Sequence, residues 1–321
     1  MKNTLILSIV ITSLLMMTVN VYGGMYPRGY FKWVKGEFDI PDEIKKVTNM
    51  SELQPFQDSK SEFTRMAAVR RLGEIEGPKA VNELVKRLER EPVYRGIEGF
   101  PLVKLEIVRT LGRIDTEQAK SALLDLLRGY WKKIPRPNDK GGIVPDRDSE
   151  TVTPVVIEVL YKWSSDKEVF EMAKTIAESE DVKKYSLIFA GPESIGQRAW
   201  EIHLKGEMIN KGIIEEKESA KYLLEYIEDI GKKGIDSVQL GPLKTAAAGA
   251  ILKKHSDSTL SSMVSEFEDQ FKNEPRDSNG SLTERQNILR RKIGILKKIL
   301  KEKQVQEQKK AKIQEEKSAD R

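Results

Sequence analysis

The sequence contains no cysteine and only two histidines among its 321 residues. Without cysteine the chain cannot form a disulfide, present a thiolate nucleophile, or hold a metal ion or cluster through sulfur. A lipid-modified N-terminal cysteine is excluded for the same reason. The chemistry that remains open depends on histidine, serine and the many charged side chains.

Common catalytic and nucleotide-binding motifs are also missing. The sequence has no Walker motif, no G-x-G-x-x-G and no G-x-S-x-G, so neither a phosphate cradle nor a nucleophile elbow is indicated. His255 follows two lysines and is expected, with them, to complement the C-terminal dipole of a helix. His203 is predicted to be structural or exposed on a charged helix face. These patterns favour a protein that is not an enzyme and has no cofactor.

One acidic segment begins like a calcium loop but does not continue as one. Residues 146–150 read Asp-x-Asp-x-Glu, yet Thr151 stands where the loop needs glycine and Ile157 where it needs a bidentate glutamate. We therefore predict no metal site.

Long apolar runs are scarce, and the longest is at the N-terminus. Lys2 precedes a 13-residue apolar stretch at 5–17, and Val-Tyr-Gly follows at 21–23. This is the pattern of a secretory signal peptide, here residues 1–23, and an uncleaved anchor is the alternative. The run is shorter than the ~20 residues that span a bilayer. We expect an exported protein, periplasmic or extracellular, with no nucleic-acid partner.

Charged residues are abundant, at 33% of the chain, against roughly 25% in globular domains. The 55 Lys and Arg nearly balance the 50 Asp and Glu, and 39% of residues are hydrophobic. This composition predicts a charge-rich soluble protein with a substantial core.

An internal repeat is the main positive signal. The segment Val-Arg-Arg-Leu-Gly-Glu-Ile at 69–75 recurs as Val-Arg-Thr-Leu-Gly-Arg-Ile at 108–114, an offset of 39 residues. The same offset aligns three further apolar pairs, which are Ala80 with Ala119, Leu84 with Leu123, and Leu88 with Leu127. Apolar spacing within each copy predicts two amphipathic helices.

A period near 40 residues with two helices is typical of HEAT and armadillo repeats. The pattern Arg70-x-Leu72-Gly73-x-Ile75-x-x-Pro78-x-Ala80-x-x-x-Leu84 resembles the HEAT-like repeat of phycobilisome lyases, over roughly residues 61–130. The resemblance implies an all-α fold, an α-solenoid of stacked antiparallel helix pairs that acts chiefly as a scaffold. Some relatives attach bilin pigments to cysteine-bearing proteins, an activity for which only the repeat motif speaks.

Further units and boundaries can be placed with weaker patterns. Additional helices are predicted at 155–160, 169–176, 194–211, 215–232, 243–252 and 260–267, for about ten to twelve in all. Capping boxes are predicted at Ser51, Asp115 and Ser281. We predict an irregular arm at 24–54, the solenoid at 55–280, a capping helix at 281–300 and a charged helical or disordered tail at 301–321. Loops at 91–101 and 131–154 interrupt the array.

The leading functional hypothesis is an exported, monomeric, non-catalytic scaffold that binds another protein through its helical-repeat surface. Its candidate contact residues lie on the second helices and in the loops: Asn82, Lys86, Glu89, Tyr94, Arg95, Ser121, Asp125, Arg128 and Trp131. One alternative is an accessory of an envelope complex whose basic tail contacts an anionic membrane. Another is a bilin-lyase-like enzyme that depends on His203.

Overall fold

The computed structural model describes residues 35–92, 101–133, 147–179, 195–232 and 241–319. All regular structure in these ranges is helical, with no strand, which confirms the all-α prediction. The α-helices are α1 (Asp42–Lys45), α2 (Met50–Gln57), α3 (Glu62–Glu76), α4 (Val81–Arg90), α5 (Leu102–Ile114), α6 (Glu117–Lys133), α7 (Arg147–Leu160), α8 (Lys167–Glu178), α9 (Ile195–Asn210), α10 (Glu216–Lys232), α11 (Gly241–Leu252), α12 (Asp257–Asn273) and α13 (Glu284–Ala319). The predicted signal peptide, Tyr94 and Arg95 lie outside the described residues.

Every helix predicted within the described ranges is present. The predicted arm at 24–54 differs from the structure, because it contains α1 and the start of α2. The helix starts also differ from the predicted capping boxes by one or two residues. Asn49, rather than Ser51, caps α2 by accepting a hydrogen bond from the Glu52 amide at 3.1 Å.

The other two predicted caps shift in the same way. Thr116 Oγ1, rather than the Asp115 carboxylate, accepts from the Ala119 amide. Thr283 and Gln286 form a reciprocal capping box at the start of α13, in place of Ser281. Several polar residues precede each helix, and a neighbour of the predicted residue supplies the cap; at α2 the capping residue, Asn49, has an extended backbone.

The described residues form two compact units. The first contains the described residues up to Leu126 together with 147–155, and the second contains 127–133 and the described residues from Val156 onward. In the first unit α3 packs against α2 and α5, and α4 packs against α5. Positions related by the 39-residue offset are buried in both copies, as Leu84 and Leu123 illustrate. The repeat therefore marks a shared core position.

The leucine-glycine pair of the repeat has a packing reason. A Cβ atom at Gly73 would lie 2.2 Å from Cγ2 of Thr110, which is buried on the neighbouring helix α5. Glycine lets α3 and α5 approach closely. Residues 102–108 of α5 are all buried, so this helix forms the centre of the first unit.

In the second unit the strongest packing contacts join helices that are one or two positions apart in the chain. The packed pairs are α8 with α9, α9 with α11, α10 with α11, α10 with α12, and α12 with α13. Helix α13 buries Leu289, Leu296 and Ile299. It continues to Ala319, so the predicted capping helix and tail are one helix.

Basic residues of α13 pair with carboxylates of the same unit. Lys303 forms an ion pair with Asp257 and donates a hydrogen bond to the His255 carbonyl at 2.6 Å. Lys292 lies 3.5 Å from Glu228, and Lys297 lies 2.6 Å from Glu268. These three lysines therefore help to hold α13 against the rest of the second unit.

Several of the long-range polar contacts within each unit join residues 36 or 40 positions apart. Glu106 pairs with Arg70, 36 residues earlier, and Gln118 bonds to Asn82, also 36 residues earlier. In the second unit Arg198 pairs with Glu158 across 40 residues, and His255 meets Ser219 across 36. The separation is close to the sequence period, and in the first unit these contacts place α3 beside α5 and α4 beside α6.

Candidate functional site

The predicted contact residues on α4 and on the first half of α6 lie on the surface. Asn82, Lys86, Glu89, Ser121 and Asp125 are all exposed. The Gln118 side-chain amide donates to Asn82 Oδ1 at 2.9 Å, which places the two helices next to each other. We call these five residues the α4/α6 row. It is a mixed polar surface within the first unit.

Two further predicted contact residues are less accessible. Arg128 and Trp131, toward the end of α6, are half-buried. Arg128 forms an ion pair with Glu168 at the start of α8, also in the second unit. The position of Arg128 thus has a structural explanation in helix packing.

A buried charge network in the first unit surrounds Glu106, whose side chain is 0% exposed. Arg70 Nε donates to Glu106 Oε1 at 2.8 Å, and Arg113 and Arg109 lie against the same carboxylate. The Arg70 guanidinium also donates to the Gly36 and Phe38 carbonyls, each at 2.8 Å. Its carbon lies 3.6 Å from the centroid of the Phe38 ring.

This network fastens the segment before α1 to the first repeat. Arg70 belongs to the repeat motif in the sequence, but its partner Glu106 was not singled out. All these groups bond to the protein itself, and the arrangement is therefore structural. A carboxylate this deeply buried requires such partners.

A groove in the second unit was not predicted from the sequence. It lies among the end of α9, the loop to α10, the start of α10 and the end of α11, with a cavity volume of about 330 Å³. Its apolar lining is Met208, Ile209, Ile213, Ile214, Ile251 and the ring of Tyr161, and its polar lining is Lys205, Glu216, Ser219, Lys254 and His255. The signal that could have found it is the Ile213-Ile214 pair directly after Gly212 in a short loop.

Two lysines of this groove lie against one aromatic ring. Lys205 Nζ is 4.2 Å and Lys254 Nζ 3.6 Å from the centroid of Tyr161. Burial lowers the pKa of Lys205, and the charge of Lys254 lowers it further. Burial also raises the pKa of the Tyr161 hydroxyl to about 12, with a smaller contribution from Glu201. The groove therefore has a cationic end with a neutral phenol.

Glu216 lines the groove, but its carboxylate is hydrogen-bonded to residues at the start of α12. Its carboxylate accepts hydrogen bonds from the Thr259 hydroxyl at 2.5 Å and from both the amide and the hydroxyl of Ser256. These bonds, that from Thr259 first, lower the pKa of Glu216 to about 2. The carboxylate thus joins the starts of α10 and α12.

His255 is likewise bonded within the protein. Its Nδ1 lies 3.0 Å from the Ile251 carbonyl, and because a carbonyl only accepts, Nδ1 carries the proton. Its Nε2 lies 3.1 Å from Ser219 Oγ. His255 lies just after a helix, as predicted, and its partner Ile251 belongs to the last turn of α11.

His203 lies between two aromatic rings. Its ring stacks on Phe170 at a centroid distance of 4.9 Å and meets Trp200 edge-on at 5.2 Å. Its Nδ1 has no hydrogen-bond partner within the described ranges. Burial lowers the pKa of His203 below its ordinary 6.5. This environment fits the structural alternative predicted for His203.

The aromatic packing of His203 predicts a pH effect on stability. The charges of Lys174 and Lys244 also lower its pKa, while those of Glu207 and Glu178 oppose the shift. The unfolded chain therefore takes up the proton first as pH falls, and the native state loses stability below about pH 6.5.

We expect His203→Gln to show a smaller loss of stability between pH 7.5 and 5.5 than the wild type. Urea unfolding at both pH values measures this difference. An identical loss in the two proteins contradicts the assignment.

Two searches of the described residues bear on other kinds of site. None of their helices combines the length and apolar character needed to cross a bilayer. Nor do these residues contain a group of three or more side chains placed to hold a metal ion.

No protein-family model, curated protein or solved structure matches this chain. The class of the protein is therefore inferred from its own repeats, their packing and the surfaces that they create.

Proposed function

We propose that the chain is a HEAT-like α-solenoid that serves as an exported, non-catalytic scaffold for another protein. Within each unit, consecutive helix pairs would form the repeats: α3 with α4 and α5 with the first part of α6 in the first unit, and the end of α7 with α8, α9 with α10, and α11 with α12 in the second. The period of 39 residues and the polar contacts 36 to 40 residues apart support this arrangement. Helix α13 would cover the last pair. Solenoids of this kind present extended surfaces to protein partners.

The observation that carries the proposal is the α4/α6 row. Its residues repeat at the 39-residue offset, with Asn82 equivalent to Ser121 and Lys86 to Asp125. All four are exposed, while most apolar residues of the same two helices, such as Leu84 and Leu123, are buried. Adjacent second helices thus give a polar surface built by repetition, the arrangement through which repeat proteins bind.

Export and the monomeric state remain part of the proposal, on the strength of the N-terminal pattern and the mixed surface charge. Membrane attachment through the C-terminus is less favoured. The sequence from 284 to 321 carries 13 basic and 6 acidic residues, but several of these bases pair with carboxylates of α10, α12 and nearby segments. Part of the charge that motivated the membrane hypothesis thus has a structural role.

Site-directed cross-linking tests the proposed surface, and the cysteine-free sequence gives each label a unique position. Ser121→Cys and Lys86→Cys, each labelled with a photoreactive benzophenone, are expected to capture the same protein in the compartment where the chain acts. Both side chains are exposed, so neither substitution should disturb the fold.

Ser278→Cys is the matched control, since this exposed serine lies between α12 and α13 and belongs to the other unit. It should capture that protein much less efficiently. Equal capture from all three positions, different proteins from the two row positions, or no capture from the row contradicts the proposed surface.

A further inference from the structure

We propose that the groove beside Tyr161 in the second unit binds a single-chain aliphatic carboxylate, such as a fatty acid. Its alkyl chain would lie along the isoleucines of the loop between α9 and α10, and its carboxylate would lie at the lysine end. This inference stands apart from the protein-binding function proposed above, because it uses neither α4 nor α6.

The groove has apolar side chains that are exposed to solvent. Ile214 is 86% and Ile209 40% exposed, and both line it. Ile213 lies beside them and Met208 lies deeper, 4% exposed. Covering contiguous apolar surface is favourable, and methionine adapts to the shape of a flexible chain.

The groove also has a lysine, Lys205, whose positive charge has no carboxylate partner among the described residues. Its ammonium group donates to the Tyr161 carbonyl at 3.3 Å. Burial and the charge of Lys254 both disfavour its protonated form. A bound anion would relieve this cost by accepting from the remaining ammonium protons.

The charge balance favours a monoanion. Lys254 is partly neutralised by Glu201, whose carboxylate lies 3.6 Å away. Glu216 keeps its negative charge, although its oxygens are bonded to Ser256 and Thr259. Lys205 is therefore the one lysine of the groove lining without a described carboxylate partner, and a single ammonium group suits a monoanionic carboxylate better than a dianionic phosphate.

The lining of the groove also favours an alkyl chain over a peptide. A bound peptide needs partners for its backbone amides and carbonyls. The side chains of Glu216, Ser219 and His255 already bond within the protein. The groove therefore offers ammonium groups at one end and apolar surface along its length, which match a carboxylate with an unbranched hydrocarbon chain.

Calorimetric titration of the purified full chain with laurate tests the proposal. We expect one laurate per chain, and binding at least about tenfold weaker for dodecyltrimethylammonium, which has the same alkyl length and the opposite charge. Lys205→Gln should weaken laurate binding roughly tenfold to a hundredfold, as expected for a lost charge-assisted hydrogen bond.

Two variants keep the test independent of folding. Ile214→Gln changes an almost fully exposed side chain, so the fold should persist while laurate binding weakens. Lys211→Gln removes a lysine of the α9 C-terminal end that pairs with Glu207 and does not line the groove, and should leave laurate binding unchanged.

The proposal is overturned if laurate does not bind, if Lys205→Gln binds it normally, or if the cationic amphiphile binds as tightly. It is also overturned if a peptide with a free C-terminal carboxylate binds more tightly than laurate, since the groove would then recognise a peptide.

Discussion

Glu106→Gln is expected to destabilise the first unit by about 3 to 5 kcal/mol. The substitution keeps the shape of the side chain but removes the negative charge from a fully buried position. Arg70, Arg109 and Arg113 would then face each other without their shared carboxylate. Removing one partner of a buried ion pair carries a penalty of this size because the remaining charge stays desolvated.

Urea unfolding, with hydrogen exchange of the α3 and α5 amides to localise the effect, measures this loss. Glu74→Gln is the matched control, because Glu74 also pairs with an arginine, Arg71, at 3.1 Å, but on the surface. A surface pair of this kind contributes about 0 to 1 kcal/mol. Equal effects of the two substitutions would mean that the Glu106 network does not hold the unit together.

The second large effect is expected for Gly206→Ala in α9. A Cβ atom at this position would lie 2.5 Å from the Ser164 carbonyl oxygen and 2.5 Å from Cδ2 of Phe170. The ring could rotate, but the carbonyl belongs to the backbone and cannot yield without moving its segment. Overpacking of this kind costs about 1 to 3 kcal/mol, and the backbone contact places this substitution toward the upper end.

Gly249→Ala in α11 provides the comparison, since a Cβ atom there would meet nothing within 4 Å. In a helix interior alanine is favoured over glycine by roughly 0.5 to 1 kcal/mol. Thermal unfolding should therefore show a lower midpoint for Gly206→Ala and a higher midpoint for Gly249→Ala. A neutral Gly206→Ala would show that α9 can move away from residue 164 at little cost.

Gly206 also bears on the proposed groove, because Lys205 and Met208 flank it on the same helix. The close approach of α9 to the Ser164 carbonyl fixes the position from which Lys205 reaches Tyr161. A shift of α9 should therefore weaken laurate binding as well as stability. The α4/α6 row belongs to the other unit, so its cross-linking result should not depend on this substitution.

The helices follow closely from local patterns in the sequence. Most apolar positions at the 39-residue offset are buried in both copies, and Gly73 stands where α3 meets Thr110. Helix starts were predicted less well, because several capping residues compete within a few positions and the backbone selects one of them. The sequence predicts a boundary near residue 300, because apolar residues become rare after Leu300. The structure instead has one helix, α13, through Ala319.

The sequence by itself determined the helical class, the repeat period and the exposed residues of the α4/α6 row. The helical class and the exposed positions follow from helical periodicity, and the period follows from the recurrence of residues 69–75 at 108–114. Only the tertiary structure decided that Glu106 is the partner of Arg70, that Lys205 and Lys254 meet at Tyr161, and that Ile214 borders a groove. Arg70 and Glu106 lie 36 residues apart in the sequence, and Lys205 and Tyr161 lie 44 residues apart. Packing between helices brings such residues together, and no local pattern encodes it.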